Sequence, residues 1–202
     1  MIRIFAHRAK IEEKENTLEG IKFFVKNKID IELDIRKNQE LYLSHDKSNN
    51  GNLFEDACKI LKKSKIMSAL HIKETDAILD TIELIKENNL QEKCFIFSTN
   101  QGEKKLNHID KKISIAKYVN KKIDTKDKIL WCDESNEKWF NETIFKLQAQ
   151  NCFLIAMSPE LLEEKNMGVI KDEWDRLISL KFNGICSNFP IELKKWMDNR
   201  RK

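Results

Sequence analysis

Glycine and proline are scarce in this chain, at 5 and 2 residues of 202. No Pro-, Gly- or Ser-rich stretch divides it, so the expectation is a single domain over residues 1–202. No run approaches the roughly 18 consecutive apolar residues of a membrane span. The amino-terminal MIRIFAHRAK lacks the apolar segment of a signal peptide. A cytoplasmic protein without a transmembrane segment is therefore expected. The five cysteines (Cys58, Cys94, Cys132, Cys152 and Cys186) include no C-x-x-C pair. Their odd number argues against a disulfide framework and for buried, reduced thiols. A block of one charge is missing too. The 37 Lys+Arg and 33 Asp+Glu are interspersed, for a net +4, which describes a solvated surface rather than a nucleic-acid footprint.

What the chain does contain is a recurrence of short apolar runs, each followed by an amphipathic stretch. The runs are Ile2–Ala6, Ile29–Ile35, Ile66–Ile72, Cys94–Phe97, Ile113–Ala116, Ile129–Cys132, Cys152–Met157 and Gly184–Cys186. Leu41–Ser44 reads as an added short strand. Helical patterns follow at Leu18–Val25 (with Thr17 or Asn16 as cap), Leu53–Leu61, Ile78–Ile85, Trp139–Leu147, Trp174–Leu180 and Pro190–Met197, with a weak, polar helix after the fourth run. Strands alternating with helices make parallel β/α units, and eight of them predict a compact, single (β/α)8 TIM-type barrel with short loops. The alternative, an open doubly wound sheet, lacks the glycine-rich phosphate loop after the first strand.

In such a barrel the chemistry sits at the carboxyl ends of the strands. The polar residues there are His7 and Arg8, Glu32 and Asp34, His45 and Asp46, His71 and Lys73, Asp133, and Ser187 with Asn188. Glu32 and Asp34 share one face of an alternating strand, Ile29-Asp30-Ile31-Glu32-Leu33-Asp34-Ile35. Buried carboxylates need a cationic partner. A hard divalent ion and a salt bridge to Arg8 or Lys73 both satisfy that requirement. Imidazole in general titrates near neutral pH, so His7 and His45 suit an acid/base pair, or stand as structural residues.

His7-Arg8, Glu15-Asn16-Thr17, Glu32-Leu33-Asp34 and His45-Asp46 follow one another at close spacing. This series resembles the amino-terminal signature of the glycerophosphodiester phosphodiesterases, H-R-G, E-N-T, E-x-D and H-D. Leu70-His71-Ile72-Lys73 resembles that family's E-x-K segment, and Asn183-Gly184-Ile185-Cys186-Ser187-Asn188-Phe189-Pro190 its carboxyl-terminal ending. The resemblance spans nearly the whole chain and is thin between residues 75 and 150. It implies the barrel fold and a metal-dependent phosphodiesterase acting on a glycerophosphodiester-like or lipid-headgroup substrate. It implies that His7 and His45 are catalytic, Arg8 and Lys73 bind phosphate, and Glu32 and Asp34, with His71, bind one divalent metal ion: Mg2+ or Ca2+, with Mn2+ as an alternative. Glu15, Asn16 and Asp133 support the site. The expected partner is a small phosphodiester, not nucleic acid.

Three departures from the pattern stand out. Ala9 replaces the glycine after His-Arg, where positive φ is available without cost only to glycine. His71 replaces a ligating Glu, which removes a charge and favours a softer metal such as Mn2+ or Zn2+. Only Lys47–Asn52 separate His45-Asp46 from the next helix, where many relatives carry an insertion that shapes the glycerol pocket. These departures motivate two other readings: an inactive barrel that binds a phosphate ligand, and a phospholipase- or lyase-like relative.

Overall fold

Isoleucine and leucine at every second position of 29–35 need a packed surface on one side, and the carboxylates between them need partners on the other. The computed structural model describes residues 2–99, 101–106, 113–121, 125–135, 138–161 and 165–200. It places this segment in β2, buried on both faces from Asp30 to Ile35. The chain divides into two compact units, Ala6–Ile115 and Met1–Phe5 with Ala116–Lys202.

The first unit begins at the end of β1 (Arg3–Ala6) with a single 3₁₀ turn, His7–Ala9. α1 (Leu18–Asn27) follows, then β2 (Asp30–Lys37), β3 (Leu41–Leu43) and β4 (Asn52–Leu53). Next come α2 (Phe54–Lys62), β5 (Ser68–Ile72), α3 (Ala77–Glu87), β6 (Cys94–Phe97), α4 (Gln101–Leu106) and β7 (Ser114–Ile115). Thr17 caps α1 by accepting a hydrogen bond from Gly20 N at 3.1 Å. Gly20 itself is required by close approach, because a Cβ there would lie 2.1 Å from the Ala9 carbonyl oxygen. β2, β5, β6 and β7 pair in parallel, in the order β7-β6-β5-β2, while β3 runs antiparallel to β2 and β4 to β3. The hydrophobic faces of β2 and β5 (Ile31, Leu33, Leu70, Ile72) are fully buried, as are Ile21, Phe54 and Ile85 from the helices.

The second unit holds β8 (Lys117–Val119), β9 (Ile129–Cys132), α5 (Glu142–Ala149), β10 (Phe153–Met157), α6 (Met167–Ser179), β11 (Gly184–Ser187) and α7 (Pro190–Asn199). Its strands are parallel in the order β11-β10-β9-β8. One core gathers Leu130, Leu154, Ile185, Trp139, Phe140, Trp174 and Phe182.

Beside β4, which takes Asn52 and Leu53 ahead of α2, the expected elements are present with three differences. The fifth run forms β7, which pairs with β6, and a further strand beyond the run, β8, follows Ala116 and pairs with β9. α5 starts at Glu142 rather than Trp139, because Asn141 caps it through Thr143 N, leaving Trp139 and Phe140 to pack as loop residues. α6 starts at Met167, before the expected Trp174, because the Asn166 side chain accepts from Val169 N at 3.1 Å. All five cysteines are buried and none is in a disulfide. No helix among the described residues is long and apolar enough to cross a membrane.

Candidate active site

β2 and β5 lie side by side in a register that sets Glu32 opposite Ala69 and Asp34 opposite His71. Three polar side chains thus share one face at the strand ends. Glu32 and Asp34 are 2% and 1% exposed, and their carboxylate oxygens lie within 4.8 Å of each other and of a His71 ring nitrogen. One divalent ion can span that distance. His71 Nδ1 is 3.1 Å from Asp34 Oδ1. Its Nε2 is buried and has no hydrogen-bond partner among the described residues. The ring stacks on Phe97, with centroids 4.6 Å apart. Two carboxylates and a buried imidazole form a donor set that fits a divalent cation, and the imidazole admits borderline metals beside hard ones.

Two cations balance the carboxylates. Lys73 Nζ is 3.3 Å from Asp34 Oδ1, and Arg8 Nε is 3.4 Å from Asp34 Oδ2. Arg8 also donates from its backbone N–H to Glu32 Oε2 at 2.9 Å and from its guanidinium to Glu15, 3.0 Å to the nearer oxygen. That backbone bond depends on a loop in unusual conformation. Arg8, Ala9, Glu12 and Asn16 all have positive φ. Ala9, at φ 43°, lies in the left-handed region despite its Cβ. Strain of this kind persists where surrounding contacts enforce it, and Asn16 supplies them. Its Nδ2 donates to Asp34 Oδ2 at 3.1 Å, its Oδ1 accepts from Asp34 N at 3.0 Å, and its N–H donates to Arg8 O at 2.6 Å.

The electrostatics divide the two acids. Burial, then the charge of Asp34, push the Glu32 carboxyl well above its ordinary value, against the Arg8 N–H bond and the Arg8 and Lys73 charges. Burial pushes Asp34 upward too. It is outweighed by the hydrogen bond from His71 and by the cations, which hold Asp34 well below the carboxylate range. Burial pushes the His71 imidazole down, against its bond to Asp34, and Lys73 and His45 act in the same direction as burial.

Two further histidines, His7 and His45, precede His71 in the sequence, and His108 lies outside the described residues. His7 opens the 3₁₀ turn next to Arg8 and is partly exposed. His45 lies just beyond β3, 34% exposed at its side chain, with Nδ1 3.0 Å from Asp46 Oδ1. Nine of the ten singled-out residues therefore lie in the first unit. Asp133 lies in the second, at the end of β9, where its carboxylate accepts from Ser135 N at 2.7 Å, Ser135 Oγ at 2.8 Å and the Tyr118 hydroxyl. Ser187 donates to Glu160, which also accepts from Ser158 and Asn188 N.

Sequence reasoning missed Arg36, Glu74 and Phe97. Arg36 continues the alternation of Glu32 and Asp34 by two residues, and that was the available signal.

No protein-family profile and no curated protein matches this sequence. Solved structures do. A glycerophosphodiester phosphodiesterase from Parabacteroides distasonis superposes with a TM-score of 0.83 at 14% identity, covering 100% of this chain and 98% of that one. A glycerophosphoryl diester phosphodiesterase from the same organism gives 0.78 at 15% identity, covering 98% and 87%. The chain thus has the TIM-type α/β-barrel fold that these phosphodiesterase structures share.

Proposed function

We propose that this chain is a metal-dependent phosphoric diester hydrolase of the glycerophosphodiester phosphodiesterase type. The observation that carries the reading is the buried Glu32–Asp34–His71 cluster, with Arg8 and Lys73 against it. A bound Mg2+, Ca2+ or Mn2+ would supply charge neutralisation at the phosphodiester oxygens. Arg8 and Lys73 would bind and orient the phosphate. His7 and His45 would act as a general acid/base pair, one taking a proton from the attacking water, or from a hydroxyl of the substrate, and the other giving a proton to the leaving alkoxide. Asn16 and Glu15 would hold Asp34 and Arg8 in place. The substrate we assign is a small or lipid-headgroup phosphodiester, the location cytoplasmic, and the domain a single one over residues 1–202.

The test is turnover of bis(p-nitrophenyl) phosphate. EDTA should abolish it, and one of Mg2+, Mn2+ or Ca2+ should restore it. His7→Ala and His45→Ala should each lower kcat by roughly 10² to 10⁴ without a comparable fall in melting temperature. Full activity of chelated enzyme would overturn the metal assignment. A near-normal rate in either variant would make that histidine structural.

A further inference from the structure

His45 sits in a short connection, Ser44–Gly51, between two very short strands. A general acid or base there needs something to hold it. The ring contacts only its neighbour, Asp46, among the hydrogen bonds described for it. The backbone is gripped from elsewhere. Arg36, two residues beyond Asp34 on β2, donates from Nε and from Nη2 to the carbonyl oxygen of His45, at 2.9 and 2.6 Å. Its remaining nitrogen, Nη1, donates to Glu74 Oε1 at 2.8 Å. The other Glu74 oxygen accepts from Lys37 N at 3.0 Å. Arg36 and Glu74 are 13% and 19% exposed at their side chains, so this is a largely desolvated, charge-assisted bond rather than a surface ion pair. Glu74 directly follows Lys73. One guanidinium therefore ties together three segments: the end of β2 that carries Asp34, the loop that carries His45, and the end of β5 that carries His71 and Lys73.

We infer that Arg36 is a positioning residue for His45, acting through its grip on the His45 carbonyl and anchored by Glu74. The inference rests on the catalytic role proposed for His45. The planar fork is what the task needs: two parallel donors fix the direction of a carbonyl as well as its distance, and a third reaches the anchor. Lysine offers one point charge and cannot make all three bonds. A misplacement of about 1 Å in a catalytic group costs on the order of 10²-fold in rate, so a loop released from Arg36 should lose turnover without losing the substrate-binding cations.

The experiment is a double-mutant cycle with Arg36→Gln and His45→Ala, read by steady-state kinetics on bis(p-nitrophenyl) phosphate and by the imidazole C–H signals of the folded protein, with His45 assigned from its loss in His45→Ala. Arg36→Gln should lower kcat by about 10²-fold with KM within a few-fold of wild type. It should shift and sharpen the His45 imidazole signal and leave those of the other histidines in place. In the His45→Ala background it should lower the rate no further, because a residue that acts through His45 has nothing left to position. Arg36→Lys should recover only part of the loss. Full additivity of the two rate losses, or an unmoved His45 signal in Arg36→Gln, would overturn the inference. The imidazole signal also separates this inference from the proposed function. If wild-type protein turns over no phosphodiester, the functional reading fails, while a moved His45 signal still supports the positioning of His45 by Arg36.

Discussion

Asn16 offers a test of the site's construction that needs no substrate. Replacement by Ala removes two hydrogen bonds to one residue: the donor to Asp34 Oδ2 at 3.1 Å and the acceptor of Asp34 N at 3.0 Å. The residue is 3% exposed, so water does not readily replace the lost partner. A bond to an ionised group contributes about 1.5–3 kcal/mol, and a buried N–H left unsatisfied costs about 1–3. Ala must also hold the φ of 55° that Asn tolerates, at about 1–2 kcal/mol for an L-residue with a Cβ. The terms overlap, because both bonds lead to Asp34. The expected loss is about 4 kcal/mol, against a total stability of about 5–15, so the variant should still fold. Asn16→Gly loses the same bonds and escapes the backbone strain, partly offset by its freer unfolded chain, and should be about 1 kcal/mol more stable than Asn16→Ala. Urea unfolding at unchanged slope is the assay. At a slope of about 2 kcal/mol per molar, the Ala variant's midpoint should fall by about 2 M. A loss below about 1 kcal/mol, or a Gly variant no more stable than Ala, would refute the reasoning.

Two further outcomes follow from the same cluster. In chelator, Glu32→Gln should raise the melting temperature near neutral pH, and the gain should shrink as pH falls toward ~4.3, the ordinary value for Glu. The sign follows from linkage. A carboxyl with a raised folded-state pKa binds its proton more tightly when folded, so stability is fully present at low pH and is lost as pH rises through the raised value. A pH-independent difference would refute it. His71→Glu should lower the melting temperature without metal, because it adds a third carboxylate beside two. It should enlarge the stabilisation that saturating Mg2+ gives, which reports affinity for the folded state. An unchanged Mg2+ increment would remove His71 from the ligand set.

The residues that were legible in advance share a short reach. Glu32 and Asp34 follow from a period of two on one strand, and Thr17 from its place before an apolar helix face. What the sequence hides is long-range pairing. The bond between Asn16 and Asp34 joins residues 18 apart, and Arg36 meets Glu74 across 38. No local pattern announces either. The strand β8 just after Ile113–Ala116 was invisible for a related reason: Lys117-Tyr118-Val119 carries no apolar run, and its pairing is set by its neighbour, β9. Asp133 has local partners of a kind the sequence does not announce either. It stands just past the end of β9, and its carboxylate accepts from Ser135 and Tyr118 of its own unit.

Stability and chemistry pull against each other at Glu32. Asp34 is well provided for, with Arg8, Lys73, His71 and Asn16 all directed at it. Glu32 has the Arg8 backbone N–H and little else among the bonds described, and its ionised form is disfavoured by burial and by Asp34. A fold selected for stability alone would place an amide or an apolar residue there. A carboxylate kept in that position makes sense if a cation completes its surroundings, since the same charge that costs the empty protein stability becomes a ligand when the ion arrives. The strained loop at Arg8 and Ala9 fits the same logic. It spends backbone geometry to direct one N–H at Glu32 and one guanidinium at Asp34, contacts that a relaxed turn at those positions would not provide.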